Sequence, residues 1–511
     1  MAFHVRAAEP LHVRIDTLIE AKAKDQKQAL SVVADDAEFL RRLSLDFTGR
    51  IPTAEGTRKF LDDKSPNKRA SQIDAFLESP EYPLAMADRL DTMLMERLGS
   101  NVTWTKYLSD SLAAKKPWDR MVREMLRADH KDEPNRSASY FLSKRLENYG
   151  QNPVDYSALT RDVGRLFMGK NFQCCECHDH LTVSDYKQQD FQGLQAYFKN
   201  SYLVNAATMQ VAEKPTTEKT RFASVFTNVE MFTAPALPGG GMMLMIPMFA
   251  KGAEYLEKPD PKTKNPGMPK FSTLAAAAEQ IPTAKNRDFV RNSVNRIWFL
   301  MLGRGLVHPL DMGHAENPPS HPELLELLAD EFVAHQFDLK FLFREIAMTS
   351  AYQRSSLLPV NSPVVPPQAF TTAIEKRLSA EQLFASMAVA TGNTTIPATK
   401  AKFLKAFANQ AREPEYDVEP SLKAALFVLH DDAVLSLLTP KAGNLVDRLM
   451  KIDDTGKFAD ELYLSVLSRK PLPAEAKIVT DVLTRHNGKR EVASRKLAWA
   501  LLTSMEFGVN H

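Results

Sequence analysis

The chain has 511 residues, enough for two or three domains, and its 44% hydrophobic and 25% charged residues are ordinary for a globular protein. Its 65 basic and 63 acidic residues nearly cancel, so the charge balance gives no reason to expect nucleic acid or an anionic membrane surface as a partner. The sequence has no apolar run of transmembrane length, and three cysteines are too few for a scaffold built on disulfides.

Amphipathic patterns predict a helical domain over residues 11–200. Arg14–Lys27 carries its apolar residues on one face, and Asp35 or Asp36 can cap a second helix. Tyr156–Met168 predicts a helix that leads directly into a cysteine-rich turn, and Gln188–Phe198 predicts the helix that follows it. The cysteine-rich turn is therefore expected between two helices.

The pattern changes over residues 201–270, where a small β-rich insert is predicted. Ala223–Phe232 favours strands, and Met242–Met245, after a Gly-rich turn, is expected to form an apolar strand rather than a copper site. Lys251–Lys270 is polar and rich in proline, which is typical of a loop or linker.

Helical patterns return over residues 271–511. Asn286–Leu302 predicts a helix that ends at Gly303, and the loop Leu306–Pro319 follows it. Ser320 is expected to cap the next helix. The fold class expected from the whole sequence is mainly α, with two helical domains, 11–200 and 271–511, joined by the small β-rich insert 201–270.

All three cysteines lie in the stretch Gln173–His180, which reads Gln-Cys-Cys-Glu-Cys-His-Asp-His. Within it, Cys174, Cys177 and His178 form the Cys-x-x-Cys-His pattern of covalent haem attachment. Two thiols at this spacing can each add to one vinyl group of the same porphyrin, and the histidine can ligate the iron. The pattern predicts haem c bound by Cys174, Cys177 and His178.

Two other interpretations of the stretch remain open. Cys174 or Cys175, Cys177, His178 and His180 supply ligand types that suit zinc, so zinc or iron could be bound without haem. A Cys174–Cys177 disulfide or an unligated turn is the third interpretation, although so short a loop would add little stability. The odd thiol Cys175 is a liability beside a haem motif in an oxidising compartment.

An iron held by His178 needs either a sixth ligand or an open face. A methionine or histidine ligand would give an electron-transfer site, whereas an open face would permit ligand binding or peroxide chemistry. The sequence offers these candidates: His180, His308, Met312, His314 and His321. The alternative for the loop is that His321 belongs to a helix N-terminus and that the other loop residues lie on the surface. The alternative for His180 is that it does not ligate the metal but lies next to the ligands, with Asp179 orienting an imidazole.

Motifs spread along the chain resemble a known tandem family. Those in the first half are Phe39–Thr53, Leu77–Tyr82, Gln173–His180 and Gln189–Leu194. Those in the second half are Val294–Trp298, Gly303–Leu306, Asn317–Leu325, Ser350–Gln353, Trp499–Phe507 and Asn510-His511. Together they resemble the planctomycete cytochrome-c-like family catalogued as domain of unknown function 1549, followed by its usual companion, domain of unknown function 1553.

This resemblance implies a periplasmic or extracellular protein of the cell envelope with an unidentified redox partner protein, although no biochemical activity is established for the family. The chain departs from the family pattern in three ways. Cys175 stands where a small residue is usual, Leu181 stands where a proline is common, and no upstream haem domain or signal peptide is seen in the sequence as given.

Three functional hypotheses follow. The first is a haem c protein for electron transfer or redox binding. The second is a non-haem zinc or iron protein with a structural or surface-interaction role. The third is a haem enzyme with an open distal face. An enzyme is the less expected outcome, because the sequence has no nucleophile elbow, phosphate loop, dinucleotide fingerprint or zinc-protease motif.

Overall fold

The computed structural model describes residues 9–128, 131–148, 150–358, 361–393, 397–413 and 422–511. Helices dominate these residues, and their strands occur only as two-stranded antiparallel sheets. The mainly α fold with a small β-rich segment is therefore confirmed. No helix in the described ranges is long and apolar enough to cross a membrane.

The chain forms two compact units, each made of separate stretches of sequence. Unit 1 comprises residues 1–89, 300–303 and 343–511, and unit 2 comprises residues 90–299 and 304–342. The boundaries 11–200, 201–270 and 271–511 expected from the sequence are a different division, and they stay a prediction.

The N-terminal helices are α1 (Leu11–Asp25), α2 (Asp36–Thr48), α3 (Ala54–Asp62), α4 (Lys68–Leu77) and α5 (Glu81–Met95). Their ends follow capping chemistry. The Asp35 carboxylate accepts hydrogen bonds from the backbone N–H groups of Ala37 and Glu38, both at 2.9 Å, and so starts α2. Gly49 ends that helix in the left-handed conformation, at φ +68°.

The central helices are α6 (Val102–Ala113), α7 (Trp118–Arg127), α8 (Tyr140–Arg145), α9 (Tyr156–Met168), α10 (Gln188–Gln195), α11 (Thr273–Gln280), α12 (Arg287–Leu302), α13 (Pro322–Ala334) and α14 (Leu339–Met348). In unit 2, α9 packs against α8 and α10, and α7 packs against α11. The rings of Phe141 on α8 and Phe167 on α9 lie 5.1 Å apart in this core. Helix α9 has the bounds predicted from the sequence.

Three hairpins of unit 2 form the β-rich segment, from the strands β1 (Ser201–Asn205), β2 (Gln210–Glu213), β3 (Thr220–Ala223), β4 (Glu230–Thr233), β5 (Tyr255–Glu257) and β6 (Met268–Pro269). The stretch Ala223–Phe232 is mostly the turn between β3 and β4 rather than one strand. The strand predicted at Met242–Met245 is wrong, because this segment pairs with no strand in the described ranges and Met242 and Met245 are almost fully exposed.

The C-terminal elements are α15 (Ser350–Gln353), α16 (Ala380–Thr391), α17 (Pro397–Phe407), α18 (Leu422–His430), α19 (Asp432–Leu435), α20 (Leu445–Met450), α21 (Thr455–Val466), α22 (Pro473–Arg485) and α23 (Arg490–Leu502), with β7 (Lys376–Arg377) and β8 (Val509–Asn510). Apolar side chains from α2, α16, α20, α21 and α23 form one core cluster of unit 1. Strand β8 pairs antiparallel with β7 and so fixes the end of the chain on unit 1.

Candidate functional site

The cysteine turn, Gln173–His180, begins a few residues after α9 in unit 2. The Asp155 carboxylate starts α9 by accepting the Ala158 N–H at 2.8 Å, and Gly169 ends it at φ +66°. The first residues of the turn, Gln173–Glu176, form a 3₁₀ helix. The buried ring of Phe172 contacts Tyr186, 5.1 Å away between ring centroids, and anchors the turn to the core.

The three cysteines differ sharply in exposure. All are free thiols, and Cys174 and Cys177 are exposed whereas Cys175 is completely buried. Burial raises the pKa of the Cys175 thiol to about 12, against the opposing effect of the His180 backbone N–H. The extra cysteine is thus an apolar core residue, and the two thiols of the Cys-x-x-Cys-His pattern are the ones that face outward.

The His178 ring has a defined tautomer. Its Nδ1 lies 2.6 Å from the backbone carbonyl oxygen of Asp179. Because a carbonyl oxygen only accepts hydrogen bonds, Nδ1 carries a proton, and in the neutral ring the lone pair is on Nε2. Histidines that ligate metals commonly have this arrangement, with one nitrogen donating to a carbonyl and the other binding the metal.

His180 has the opposite tautomer. Its Nδ1 accepts the backbone N–H of Val183 at 2.9 Å, and the Thr182 N–H lies 3.3 Å away. The proton of the neutral ring is therefore on Nε2, and Nδ1 holds the turn after the motif. Ligating a metal through His180 would require a change of tautomer or the loss of these hydrogen bonds.

Carboxylates fix the turn to the flanking helices. Glu176 accepts hydrogen bonds from Ser157 at 2.6 Å and from Arg161 at 2.8 Å, both on α9. The Asp179 carboxylate accepts the Gln188 N–H at the start of α10, at 2.9 Å. The sequence suggested that Asp179 orients an imidazole. In the structure, His178 contacts the backbone carbonyl of Asp179 and not its carboxylate.

Exposed apolar side chains border the outward face of the turn. We call Leu181, Val225 and Phe226 the apolar border, and they are 76%, 58% and 65% exposed. The backbone N–H of Val225 donates to the carbonyl oxygen of Cys177 at 3.1 Å, and the Phe226 ring lies 4.6 Å from the His178 ring. Exposed apolar groups concentrated beside thiols and an imidazole are suited to cover the face of a large apolar ligand.

The loop Leu306–Pro319 lies next to the segment that follows the turn. Glu316 accepts hydrogen bonds from the backbone and the hydroxyl of Ser184, and the Tyr186 hydroxyl donates to the Gly313 carbonyl oxygen at 3.3 Å. The centroid of the Tyr186 ring lies 6.0 Å from that of His180 and 5.4 Å from that of His314, both in edge-to-face arrangements. Tyr186 thus contacts two of the histidines that the sequence proposed as ligands.

The other loop candidates lie farther along the same segment. Met312 pairs through its backbone with Lys170, just before the turn, and His308 precedes a cis proline. His321 is buried and is the N-cap residue of α13, directly before its first residue Pro322. The predicted Ser320 cap is wrong because this helix start has no side-chain cap. The Ser320 hydroxyl lies 3.2 Å from the Nδ1 of His321 instead.

A partly buried arginine, Arg165, joins this loop to α9. The Arg165 guanidinium contacts Glu96 at 2.6 Å, Asp162 at 3.2 Å and Asp311 at 3.4 Å. Burial acts to lower the pKa of Arg165, but the hydrogen bond and the charge of Glu96 outweigh it and raise this pKa. One cation therefore joins the helix before the cysteine turn to the loop that carries Met312 and His314.

The described residues contain no group of three or more Cys, His, Asp or Glu side chains arranged to hold a metal ion. Cys174, Cys177, His178 and His180 lie in one turn but do not converge as a preformed ligand set. The sequence analysis did not identify Tyr186, Phe226 and Arg165, which connect the turn to its surroundings. Of these three residues, only Tyr186 has a signal in the sequence, because it lies between the family motifs Gln173–His180 and Gln189–Leu194.

Comparison with protein-family models gives two matches in order. Residues 14–202 match a protein of unknown function (DUF1549), and residues 275–417 match a protein of unknown function (DUF1553). Comparison with curated proteins and with solved structures gives no match. These matches confirm the resemblance to the tandem family. The chain belongs to the proteins in which domain of unknown function 1549 is followed by domain of unknown function 1553.

Proposed function

We propose that the cysteine turn attaches haem c through Cys174 and Cys177, with His178 as an iron ligand, and that the protein serves electron transfer or redox binding. The observation that carries the proposal is the separation of the thiols. The two cysteines of the pattern are exposed, and Cys175 between them is buried with a raised pKa. A thiol held protonated in the core does not compete for the porphyrin.

The tautomers of the two histidines support the same assignment. His178 donates from Nδ1 to a backbone carbonyl, which leaves Nε2 free of a proton for iron, while His180 uses Nδ1 within its own turn. A site held by two thiols and one histidine agrees with these tautomers better than one that also needs His180. The apolar border would shield a porphyrin edge from water.

When bound, the haem would supply a one-electron couple whose potential depends on axial ligation, hydrogen bonding and burial. The chain's own residues have positioning roles. Glu176 and Asp179 hold the turn between α9 and α10, and the Asp179 carbonyl fixes the orientation of the His178 ring. Because cysteine–vinyl attachment is made outside the cytoplasm, the proposal includes a periplasmic or extracellular location and a redox partner protein.

A pyridine haemochrome spectrum combined with metal analysis tests the proposal. The protein would be produced with an export signal in a host that matures c-type cytochromes. We expect one haem per chain that resists extraction into acidified organic solvent. An extractable haem, or protein without haem but with stoichiometric zinc or iron, would contradict covalent attachment and would favour the non-haem alternative.

A further inference from the structure

A surface segment rich in methionine follows the β3–β4 hairpin in unit 2. We call residues 242–248 the methionine segment, and they read Met-Met-Leu-Met-Ile-Pro-Met. The segment lies outside residues 14–202 and 275–417, which match the two family models. Because it pairs with no strand in the described ranges, packing in a sheet does not account for its methionines.

The exposure of side chains along this segment repeats every three residues. Met242, Met245 and Met248 are 89%, 88% and 99% exposed. Between them, Leu244 and residues 246–247 are partly buried. The segment therefore lies against the protein with its other apolar side chains and directs three thioethers into solvent.

The fourth methionine and the backbone hold the segment in place. The N–H of Leu244 donates to the Pro235 carbonyl oxygen at 2.8 Å. The Sδ of Met243 accepts hydrogen bonds from the Ala234 N–H and the Thr233 hydroxyl, both at 3.5 Å. One methionine thus anchors the segment to the end of β4, while the other three face solvent.

The ligand types of the segment determine which kind of metal ion suits it. Residues 242–248 include no Cys, His, Asp or Glu, so thioether sulfur is the only side-chain ligand that they offer. A neutral thioether is a soft ligand, which suits Cu(I), whereas Mg²⁺ and Ca²⁺ prefer oxygen. Because methionine has three rotatable bonds, an exposed methionine can turn towards an ion without disturbing a packed core.

We propose that the methionine segment binds Cu(I) through Met245 together with either Met242 or Met248. In an extended chain, residues three apart have Cα atoms about 10 Å apart, which two methionine side chains can span to share one ion. Met242 and Met248 would lie about 20 Å apart in such a chain, too far to share it. Met245 is therefore the ligand common to both pairs.

Anaerobic titration of the full chain with Cu(I), against a colorimetric Cu(I) chelator as competitor, tests this inference. The exposed thiols Cys174 and Cys177 also suit Cu(I), so they are first blocked with N-ethylmaleimide. The titration is run at about pH 5, where thiols and histidines are mostly protonated. A thioether carries no proton and keeps its affinity there, so we expect one Cu(I) per chain.

Three substitutions by leucine identify the ligands. Met245→Leu should weaken Cu(I) binding roughly tenfold or more, because both pairs lose a ligand. Met242→Leu and Met248→Leu should each have a smaller effect, since one pair remains. Leucine is similar in volume to methionine, and the three positions are exposed, so the fold is preserved. Met505→Leu is the control, because Met505 is 89% exposed but lies in unit 1, and it should leave binding unchanged.

Nuclear magnetic resonance of methyl-labelled methionine gives a second measurement. Addition of Ag(I), a redox-stable analogue of Cu(I), should shift the methyl signal of Met245 and leave that of Met505 in place. No Cu(I) bound at the acidic pH, full binding by Met245→Leu, or an unshifted Met245 signal would overturn the inference. The cysteine turn takes no part in these measurements, so this result and the haem proposal can fail separately.

Discussion

Lys376 donates a hydrogen bond of 2.7 Å to the carboxylate of Asp46, which is completely buried in unit 1. The same carboxylate accepts hydrogen bonds from the Tyr352 hydroxyl at 2.9 Å and from the Asn510 amide at 3.0 Å. Asp46, Tyr352 and Asn510 come from three of the motifs that carry the family resemblance. These motif residues therefore form part of the interior of unit 1.

Replacing Asp46 with alanine should strongly destabilise the protein. The substitution leaves the Lys376 ammonium without its carboxylate in a buried position, and breaking such a pair costs about 3–5 kcal/mol. Chemical denaturation followed by circular dichroism measures the change. Asp481→Ala is the control, because its partner Lys477 on α22 is 74% exposed and the pair contributes less than about 1 kcal/mol. If the two variants lost similar amounts of unfolding free energy, the buried contacts of Asp46 would not stabilise unit 1 more than an exposed ion pair does.

Arg165 should be required to hold the loop Leu306–Pro319. Arg165→Gln leaves Glu96, Asp162 and Asp311 close together without their common cation. We expect a loss of about 3–5 kcal/mol in unfolding free energy and faster amide hydrogen exchange in the loop. Arg120→Gln, at an exposed arginine that pairs with Glu124 four residues on, should change neither quantity appreciably. Unchanged exchange in Arg165→Gln would contradict the proposed anchoring.

The three thiols should react differently with iodoacetamide in protein that carries no haem. Cys174 and Cys177 are exposed and should be alkylated, whereas Cys175 should react only after the protein unfolds. Peptide mass spectrometry identifies the modified positions. Rapid labelling of Cys175 in the folded protein would contradict the burial of its side chain.

The raised pKa of Cys175 also predicts a pH dependence. Burial moves this pKa from 9.0 to about 12, so the folded protein keeps the proton that the unfolded chain releases. The associated stability is complete below pH 9.0 and is lost as the pH rises towards 12. The difference in unfolding free energy between the wild type and Cys175→Ala should therefore shrink across this range. A difference that grows with pH would contradict the assignment.

His180 should be a structural residue of the turn. In His180→Ala, the backbone N–H of Val183 loses its acceptor, and the segment that leads to Tyr186 should exchange its amides faster. Haem attachment should persist, since His178 keeps its contact with the Asp179 carbonyl. Absorption spectra and hydrogen exchange on the same sample separate the two effects. Loss of bound haem in His180→Ala alone would make His180 a ligand.

Capping residues and apolar patterns in the sequence predicted several helices correctly. Asp35, one of the two residues expected to cap the second helix, accepts the N–H groups at the start of α2. The bounds predicted for α9 are those observed, and Asp155, which was not predicted as a cap, accepts an N–H group at its start. Helices α6 and α8 were missed, although Asn101 caps α6 through Thr103 and Trp104, because polar residues interrupt their short apolar patterns. The strand expected at Met242–Met245 failed because a strand needs a partner, which a local pattern does not reveal.

The cysteine turn could be found from the sequence, since the spacing of Cys174, Cys177 and His178 is itself the signal. The burial of Cys175 and the opposite tautomers of His178 and His180 could not be found in this way. They depend on contacts with Phe172, Tyr186 and the segment after β3, and these form only in the folded chain. The exposure of Met245 depends likewise on how its segment lies against unit 2.

The decisive measurement is the haem content of four exported proteins: the wild type, Cys174→Ala, Cys175→Ala and Cys177→Ala. Attachment through Cys174 and Cys177 predicts a covalent haemochrome in the wild type and in Cys175→Ala, and a shifted or absent band in the two other variants. A wild type without covalent haem, or a Cys175→Ala variant that folds but loses it, would contradict attachment through Cys174 and Cys177.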